Sequence, residues 1–309
     1  MHSLPFDKPG RFWRGNLHLH STNSDGRRSP EETLAGYRER GYDFVSLTDH
    51  FLPKGGVPPA VSDTLALRSD GFTTLLGAEI HGPGLSSGDI WHIVANGLPL
   101  DFPWIGREET GPEVAARARA AGAFVSIAHP YWSTVSIADA DSLLASAHAV
   151  EVYNHGCQVE VDRGDSWHFT DILLGRGDRL TAIATDDAHF NHKPEPDGDA
   201  YGGWVHVKSE SLDPESLLAA LKAGHFYSST GPEIHDVWIE GDEIHVTCTP
   251  ANAIIVSGTA STSRRIHPGP VEGGSVPIEP FRKGGYLRVS VIAADGTRAW
   301  TNSVWLDGV

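Results

Sequence analysis

Short apolar runs alternate with helix-like stretches from the start of the chain to about residue 228. The first helix is the clearest, because Ser29, Pro30 and Glu32 provide an N-cap, a first-turn proline and a capping-box glutamate for a helix that ends near Gly41. The alternation predicts an α/β fold around a parallel sheet. The predicted strands are 16–20, 42–47, 73–76, 90–95, 124–128, 150–153 and 180–184, and the further helices are 112–121, 138–147, 168–175 and 213–223.

The pattern changes after Gly231. Short alternating segments broken by glycine and proline follow at 237–239, 244–246, 254–256, 286–292 and 299–305. They are typical of a small all-β domain or extension. The sequence therefore predicts a barrel-sized α/β domain over 1–231 and a β-rich region over 232–309.

Histidine and acidic residues stand at the ends of the predicted strands. Such ends converge on one mouth in a β/α barrel. A mouth crowded with carboxylates would have raised pKa values unless cations neutralised it. The pattern therefore indicates a site for several metal ions. The residues are His18 and His20, Asp49 and His50, Glu79, His129, Glu151, and Asp186, Asp187 and His189.

The composition favours metal binding through nitrogen and oxygen ligands, and the net charge limits the classes of partner. Seventeen histidines and forty carboxylates accompany two cysteines, Cys157 and Cys248, which are too few for a disulfide framework. Twenty-four basic against forty acidic residues give a net charge of −16, which disfavours duplex nucleic acid and anionic membranes as partners. Without a long apolar run or a signal-peptide pattern, the sequence predicts a cytoplasmic protein.

The strand-end clusters occur within recognisable motifs. NLHLHST at 16–22, SDG at 24–26, LTDH at 47–50, GAE at 77–79, AHP at 128–130, EVYN at 151–154 and DDAH at 186–189 follow one another in this order. Together they resemble the PHP (polymerase and histidinol phosphatase) family over residues 13–231. The segment 224–232, GHFYSSTGP, with its β-rich tail, further resembles the CehA/McbA branch, which includes carbaryl hydrolase.

The resemblance implies a distorted seven-stranded (β/α)7 barrel that binds two or three divalent ions of Mn, Fe or Zn at its mouth. His81 competes with His92 for the second ion, and Asp25 stands where several family members carry histidine. Glu151 is expected to be a buried structural carboxylate and Asp186 to hydrogen-bond a histidine. The implied ligand groups are His18, His20, Glu79 and Asp187; Glu79, His92 and His129; and Asp25, His50 and His189.

Such a centre indicates a hydrolase in which a metal-bridged hydroxide attacks the substrate. The expected substrate is a small soluble phosphate mono- or diester. The alternatives are a carboxyl ester or carbamate hydrolase with the same centre, and a non-catalytic binding module. The sequence leaves the oligomeric state open. The predicted catalytic residues are Glu79, Asp187 and His189, and the candidates for substrate binding are Arg27, Arg28, Asn154, His155, His192 and Lys193.

Overall fold

The computed structural model describes residues 4–106, 108–192, 195 and 197–307. Up to residue 231, strands and helices largely alternate, but the first strand ends at Asn16 rather than covering 16–20, and the strands over 204–209 and 226–229 were not predicted. The strands are β1 Arg11–Asn16, β2 Phe44–Leu47, β3 Thr73–Gly82, β4 Trp91–Asn96, β5 Phe124–Ile127, β6 Ala149–Asn154, β7 Thr181–Thr185, β8 Trp204–Ser209 and β9 Phe226–Ser229. The helices are α1 Pro30–Glu39, α2 Gly111–Ala120, α3 Ile137–Asp141, α4 His155–Val161, α5 Trp167–Arg176 and α6 Pro214–Lys222.

The sheet is mixed rather than parallel. Strands β1 to β3 pair in parallel, as do β5 to β7, but β4 runs antiparallel to both of its neighbours. The connection from β3 to β4, residues 83–90, is too short for the crossover that a parallel pair requires. Two backbone hydrogen bonds join the segment after β7 to the segment after β1, from the His20 amide to the Ala188 carbonyl (3.0 Å) and from the Asp187 amide to the His18 carbonyl (2.9 Å).

The strands beyond residue 231 belong to two sheets. One part extends the large sheet, because β16 pairs antiparallel with β9, with Ala299 opposite Ser229. The other part forms a separate smaller sheet in the order β10, β11, β14. The elements are β10 Ile234–Glu240, β11 Glu243–Ala251, β12 Ala253–Ser257, β13 Ser263–Ile266, β14 Val271–Pro277, α7 Glu279–Arg282, β15 Tyr286–Ile292, β16 Arg298–Thr301 and β17 Val304–Trp305.

Two helices differ from the sequence prediction. Helix α3 ends at Asp141, well before residue 147, and the Ser142 hydroxyl donates to the Asp139 carbonyl (2.7 Å) where the helix stops. Helix α4 was not predicted. It begins because the Asn154 side chain accepts a hydrogen bond from the Cys157 amide (2.9 Å), which is an N-cap. None of the described helices has the length and hydropathy needed to cross a bilayer.

Apolar side chains from the strands fill the space beneath the polar strand ends. Phe44, Leu75, Phe124 and Ile183 come from four different strands and form one buried cluster. A second buried cluster packs the sheet against helices α2 and α5, through residues such as Val114 and Leu173. These clusters hold the strand ends in place without using the polar residues beyond them.

Candidate metal centre

The structure brings all nine sequence-predicted metal ligands together where the strands end. They follow or lie within six strands of the large sheet, so their positions depend mainly on sheet register. His18, His20 and Asp25 follow β1, His50 follows β2, Glu79 lies in β3, His92 in β4, His129 follows β5, and Asp187 and His189 follow β7.

Glu79 lies at the centre of this cluster and has no solvent-exposed surface. Its Oε1 lies 2.7 Å from His92 Nδ1 and 3.3 Å from His129 Nε2. Its Oε2 lies 2.6 Å from His50 Nδ1. The same Oε2 lies 3.6 Å from His18 Nε2 and 3.5 Å from His20 Nε2. With His81, whose Nε2 lies 3.7 Å from Oε2, one carboxylate thus faces six imidazoles.

Four buried atoms around Glu79 lack hydrogen-bond partners among the described residues. They are Nε2 of His18, Nε2 of His20, Oε2 of Glu79 and Oδ1 of Asp187. Asp187 Oδ1 lies 3.2 Å from His18 Nε2 and 2.9 Å from His20 Nε2. Buried polar atoms without partners are costly, and nitrogen and carboxylate oxygen atoms that face one point are the donor set of a divalent cation. These residues therefore fit a metal ion.

Three more groups of side chains share ligand atoms with this one. Glu79, His92 and His129 form one group, and His50, Glu79 and His81 form another. The last group is His20, Asp25, His50 and His189, in which Asp25 Oδ1 lies 3.4 Å from His50 Nε2 and 3.3 Å from His189 Nε2. His92 approaches Glu79 more closely than His81, whose Nε2 lies 3.7 Å from Glu79 Oε2. Both histidines reach the same carboxylate.

Glu151 positions two of the ligand histidines, His18 and His129, through its two carboxylate oxygens. Its Oε1 lies 2.7 Å from His18 Nδ1 and accepts a hydrogen bond from the Thr185 hydroxyl (2.7 Å). Its Oε2 accepts from the His129 amide (2.8 Å). A carboxylate on Nδ1 fixes the tautomer that leaves Nε2 free to bind a metal. The sequence singled out this residue only as a buried carboxylate, because its partner His18 lies 133 positions earlier in the chain.

Asp186 forms different hydrogen bonds from the one predicted. Its partners in the described part of the chain are not histidines. Oδ2 accepts from Asn16 Nδ2 (2.7 Å), the Tyr37 hydroxyl (2.6 Å) and the Tyr201 amide (2.8 Å), and Oδ1 accepts from the amides of Gly202 (2.8 Å) and Gly203 (2.7 Å). A Cβ at Gly203 would lie 2.5 Å from the Thr185 carbonyl oxygen. The expected hydrogen bond to a histidine is thus wrong, because Asp186 points away from the cluster.

The pKa values of the histidines divide into two sets. Although burial opposes it, the carboxylates of Glu79 and Asp25 raise the pKa of His50 to about 10. Burial also opposes Asp25 and Asp187, which raise the pKa of His189 to about 9. Burial and the neighbouring His189 and His50 lower the pKa of His20 to about 4. Without bound cations, His50 and His189 are therefore expected to be protonated at neutral pH.

Metal binding is expected to release these protons. A histidine must be neutral to coordinate a metal, and His50 and His189 are protonated at pH 7.5 when their pKa values are about 10 and 9. The apparent affinity for Mn²⁺ should therefore rise with pH below these values, by about tenfold per pH unit for each proton displaced. Calorimetry of metal-free protein in two buffers with different ionisation enthalpies measures the release. A binding enthalpy independent of buffer, with an affinity independent of pH, would contradict the prediction.

A cavity of about 300 Å³ opens onto the cluster. Besides several ligand residues, Trp132, Cys157, Glu160 and Asn191 line it, and none of the described lining residues is a lysine or an arginine. Cys157 is buried, with its Sγ 4.0 Å from Asp187 Oδ2. Trp132 and Glu160 were not predicted, because a single aromatic or acidic residue in a connecting segment or helix forms no recognisable sequence pattern.

Asn154 is the candidate substrate residue that touches the cluster. Its Nδ2 donates to Asp187 Oδ2 (3.2 Å) and to Glu151 Oε2 (3.1 Å). His155 instead has its Nδ1 3.1 Å from the Tyr153 hydroxyl and lines a separate cavity.

Arg27, Arg28 and His192 do not line the cavity over the cluster. Arg28 forms an ion pair with Asp197, and its guanidinium lies 4.3 Å from the Phe190 ring centroid. Arg27 is exposed, and its backbone amide donates to the His189 carbonyl (2.9 Å). His192 lies beside Gly198. Lys193 lies outside the described residues.

Comparison with solved structures shows the fold. Over 98% of this chain and 90% of the other, it resembles a two-domain protein from Bacteroides vulgatus that contains a predicted PHP-like metal-dependent phosphoesterase, with a TM-score of 0.55 and 16% identity. A candidate metal-dependent phosphoesterase from Bifidobacterium adolescentis matches over 59% of this chain and 89% of its own (TM-score 0.43, 18% identity). An amidohydrolase from Chromobacterium violaceum matches over 57% and 87% (TM-score 0.41, 16% identity). No family model and no curated protein sequence matches the chain.

The first of these likenesses confirms the expected architecture at a coarse level. The chain has a mixed α/β fold with one large and one smaller sheet, as the PHP-like two-domain protein of Bacteroides vulgatus does. The candidate metal centre lies where the resemblance to the PHP motifs placed it along the sequence.

Proposed function

We propose that the protein is a metal-dependent phosphoesterase of the PHP type, which hydrolyses a small phosphate mono- or diester. The observation that carries this proposal is the convergence of four buried ligand atoms without hydrogen-bond partners on one point, where one of the four belongs to a carboxylate that four further histidines share. The structurally similar protein from Bacteroides vulgatus contains a domain that is a predicted PHP-like metal-dependent phosphoesterase. The proposal includes the distorted seven-stranded (β/α)7 barrel that the resemblance to the PHP family implies.

Three of the ligand groups would hold two or three divalent ions of Mn, Fe or Zn. We assign the first ion to His18, His20, Glu79 and Asp187, the second to Glu79, His92 and His129, and the third to Asp25, His50 and His189. When bound, such ions supply Lewis acidity and activate water at neutral pH.

The protein's own groups prepare this site. Glu151 holds Nδ1 of His18, and the Ser133 hydroxyl lies 2.9 Å from Nδ1 of His129, so both rings present Nε2 to the cluster. His189 is held through Nδ1 by the Asp187 carbonyl (2.8 Å) and lines the cavity with its other edge. When the third group is empty, His189 can hold the proton that a leaving alkoxide needs. Asn154 is placed to contact the substrate beside Asp187.

The same site suits a neutral ester, which makes carboxyl ester or carbamate hydrolysis the second candidate function. The described residues of the cavity wall provide no lysine or arginine, so a substrate without negative charge meets no unpaired cation there. A phosphoester depends instead on the ions for all of its charge neutralisation.

Initial rates distinguish the two functions. Protein loaded separately with Mn²⁺, Fe²⁺ and Zn²⁺ is assayed on a phosphate monoester, a phosphate diester and a carboxyl ester that share the 4-nitrophenol leaving group. We expect one phosphoester to exceed the carboxyl ester in kcat/KM by about 100-fold or more, beyond their difference in uncatalysed rate, since several bound ions can stabilise the charge on the two or more non-bridging phosphoryl oxygens, whereas a carboxyl ester develops charge on one oxygen. A faster carboxyl ester would assign the centre to the second function, and no hydrolysis of any ester would favour a binding module.

A further inference from the structure

We propose that Trp132 and Glu160 form a subsite for a substituted ammonium group, so that the preferred substrate is a phosphodiester whose second alcohol carries that cation. This inference rests on the proposed phosphoesterase function and names its substrate class. Both residues line the cavity over the metal centre, and neither belongs to a ligand group.

Trp132 provides an aromatic wall beside the ligand histidines. It follows His129 by three residues, and its ring centroid lies 5.0 Å from that of His129 and 5.5 Å from that of His92, at interplanar angles of 76° and 71°. The residue nevertheless remains 41% exposed. An indole that is fixed in place and still accessible is the best protein partner for a cation held against an aromatic face.

Glu160 provides a negative charge without a partner. It lies near the end of α4, and its exposed side chain makes no hydrogen bond or ion pair with the rest of the described chain. Partial burial and the carboxylates of Asp199 and Asp187 raise its pKa, whereas His189 and His192 lower it. A cation bound here would relieve the repulsion among these carboxylates, whereas an added anion would increase it.

The rest of the cavity wall supports the same choice. No described lining residue is a lysine or an arginine, and a histidine that binds a metal is neutral, so the ions would be the cationic groups that face the substrate. They can neutralise one phosphodiester charge, but a second anionic group at the rim would face Glu160. A neutral aromatic group would use Trp132 alone and leave the Glu160 carboxylate desolvated, which is costly. An ammonium group uses both residues.

Three 4-nitrophenyl phosphodiesters test the subsite by turnover. Their second alcohols are choline, 3,3-dimethylbutanol, which has the same shape without the charge, and 4-hydroxybutanoate, which carries an anion. We expect kcat/KM for the choline ester to exceed that for the dimethylbutyl ester by about tenfold or more. Glu160→Gln and Trp132→Leu should each reduce this ratio severalfold, whereas Glu39→Gln, at an exposed carboxylate in α1, should preserve it. A ratio near one in the unmodified protein would overturn the proposal, as would a ratio that neither variant changes.

Binding of tetramethylammonium provides a test without turnover. Its methyl protons should show saturation transfer from the metal-loaded protein, and this signal should weaken severalfold in Glu160→Gln but not in Glu39→Gln. Absence of the signal in the unmodified protein, or an equal signal in both variants, would overturn the subsite. Hydrolysis of none of the three diesters would contradict the phosphoesterase function instead, so the two failures are distinguishable.

Discussion

Replacing Glu79 by glutamine is expected to remove hydrolysis almost completely while the protein stays folded. The side chain is shared by three of the four candidate ligand groups. An amide lacks the negative charge and presents one oxygen rather than two, so every ion that the carboxylate joins should bind more weakly. Because an activating ion contributes several kcal/mol, kcat/KM should fall by about 1,000-fold or more.

The fold should survive the Glu79→Gln change, since the apolar cluster of Phe44, Leu75, Phe124 and Ile183 lies beneath the site and does not contain Glu79. Metal content by mass spectrometry, circular dichroism and kcat/KM are measured together. His148→Gln is the matched control, because His148 accepts a hydrogen bond from the Val125 amide (3.1 Å) at the other end of the sheet and should leave activity within a few fold. Full activity of Glu79→Gln would contradict the assignment of this carboxylate.

Two neighbouring substitutions are expected to affect different properties. Asp186→Asn should lower stability, and Asp187→Asn should lower activity. Asp186 accepts five hydrogen bonds through its two oxygens, and an amide would turn one acceptor into a donor that faces other donors. Two or more buried donors would lose their acceptor at about 1–3 kcal/mol each, so Asp186→Asn should lower the free energy of unfolding by about 3–5 kcal/mol.

Asp187→Asn should instead cost activity and little stability. Asp187 Oδ1 has no hydrogen-bond partner in the described chain, and asparagine tolerates the left-handed backbone found there (φ 57°). Loss of one charged ligand should reduce metal content and lower kcat/KM by about 100-fold or more. Urea unfolding of the metal-free proteins separates the two effects. It is run at pH 8, because burial raises the pKa of Asp186 to about 7. Equal unfolding free energies for both variants would refute the distinction.

The sequence predicted which residues form the site better than it predicted the contacts between residues that are distant in the chain. Histidines two residues apart, as in His18 and His20, share one side of an extended segment, and strand ends meet at one edge of a sheet, so their proximity followed from local pattern alone. The N-cap of α1 was equally local: the Ser29 hydroxyl accepts from the Glu32 amide (3.2 Å) as predicted.

The sequence pattern could not predict features that depend on contacts between distant residues. The direction of β4 depends on the length of one turn, and the role of Glu151 depends on a histidine that lies 133 positions earlier. The choice between His81 and His92 could not be made from the sequence, because β3 and β4 place them opposite each other across the hairpin, within reach of one carboxylate. Trp132 and Glu160 could not be assigned to the cavity from the sequence, because only the tertiary structure brings the segment after β5 close to α4.

The pairing of β9 with β16 has a consequence for synthesis on the ribosome. Residues 226–229 are translated about seventy positions before the strand that covers their edge, and the Asn302 side chain, which binds the amide of Ala182 (2.8 Å) and the carbonyl of Phe226 (3.0 Å), emerges later still. The nascent chain therefore exposes an unpaired strand edge during that interval, although every candidate metal ligand has already left the exit tunnel. Chaperone binding or early metal uptake would act in this window, before the large sheet is complete.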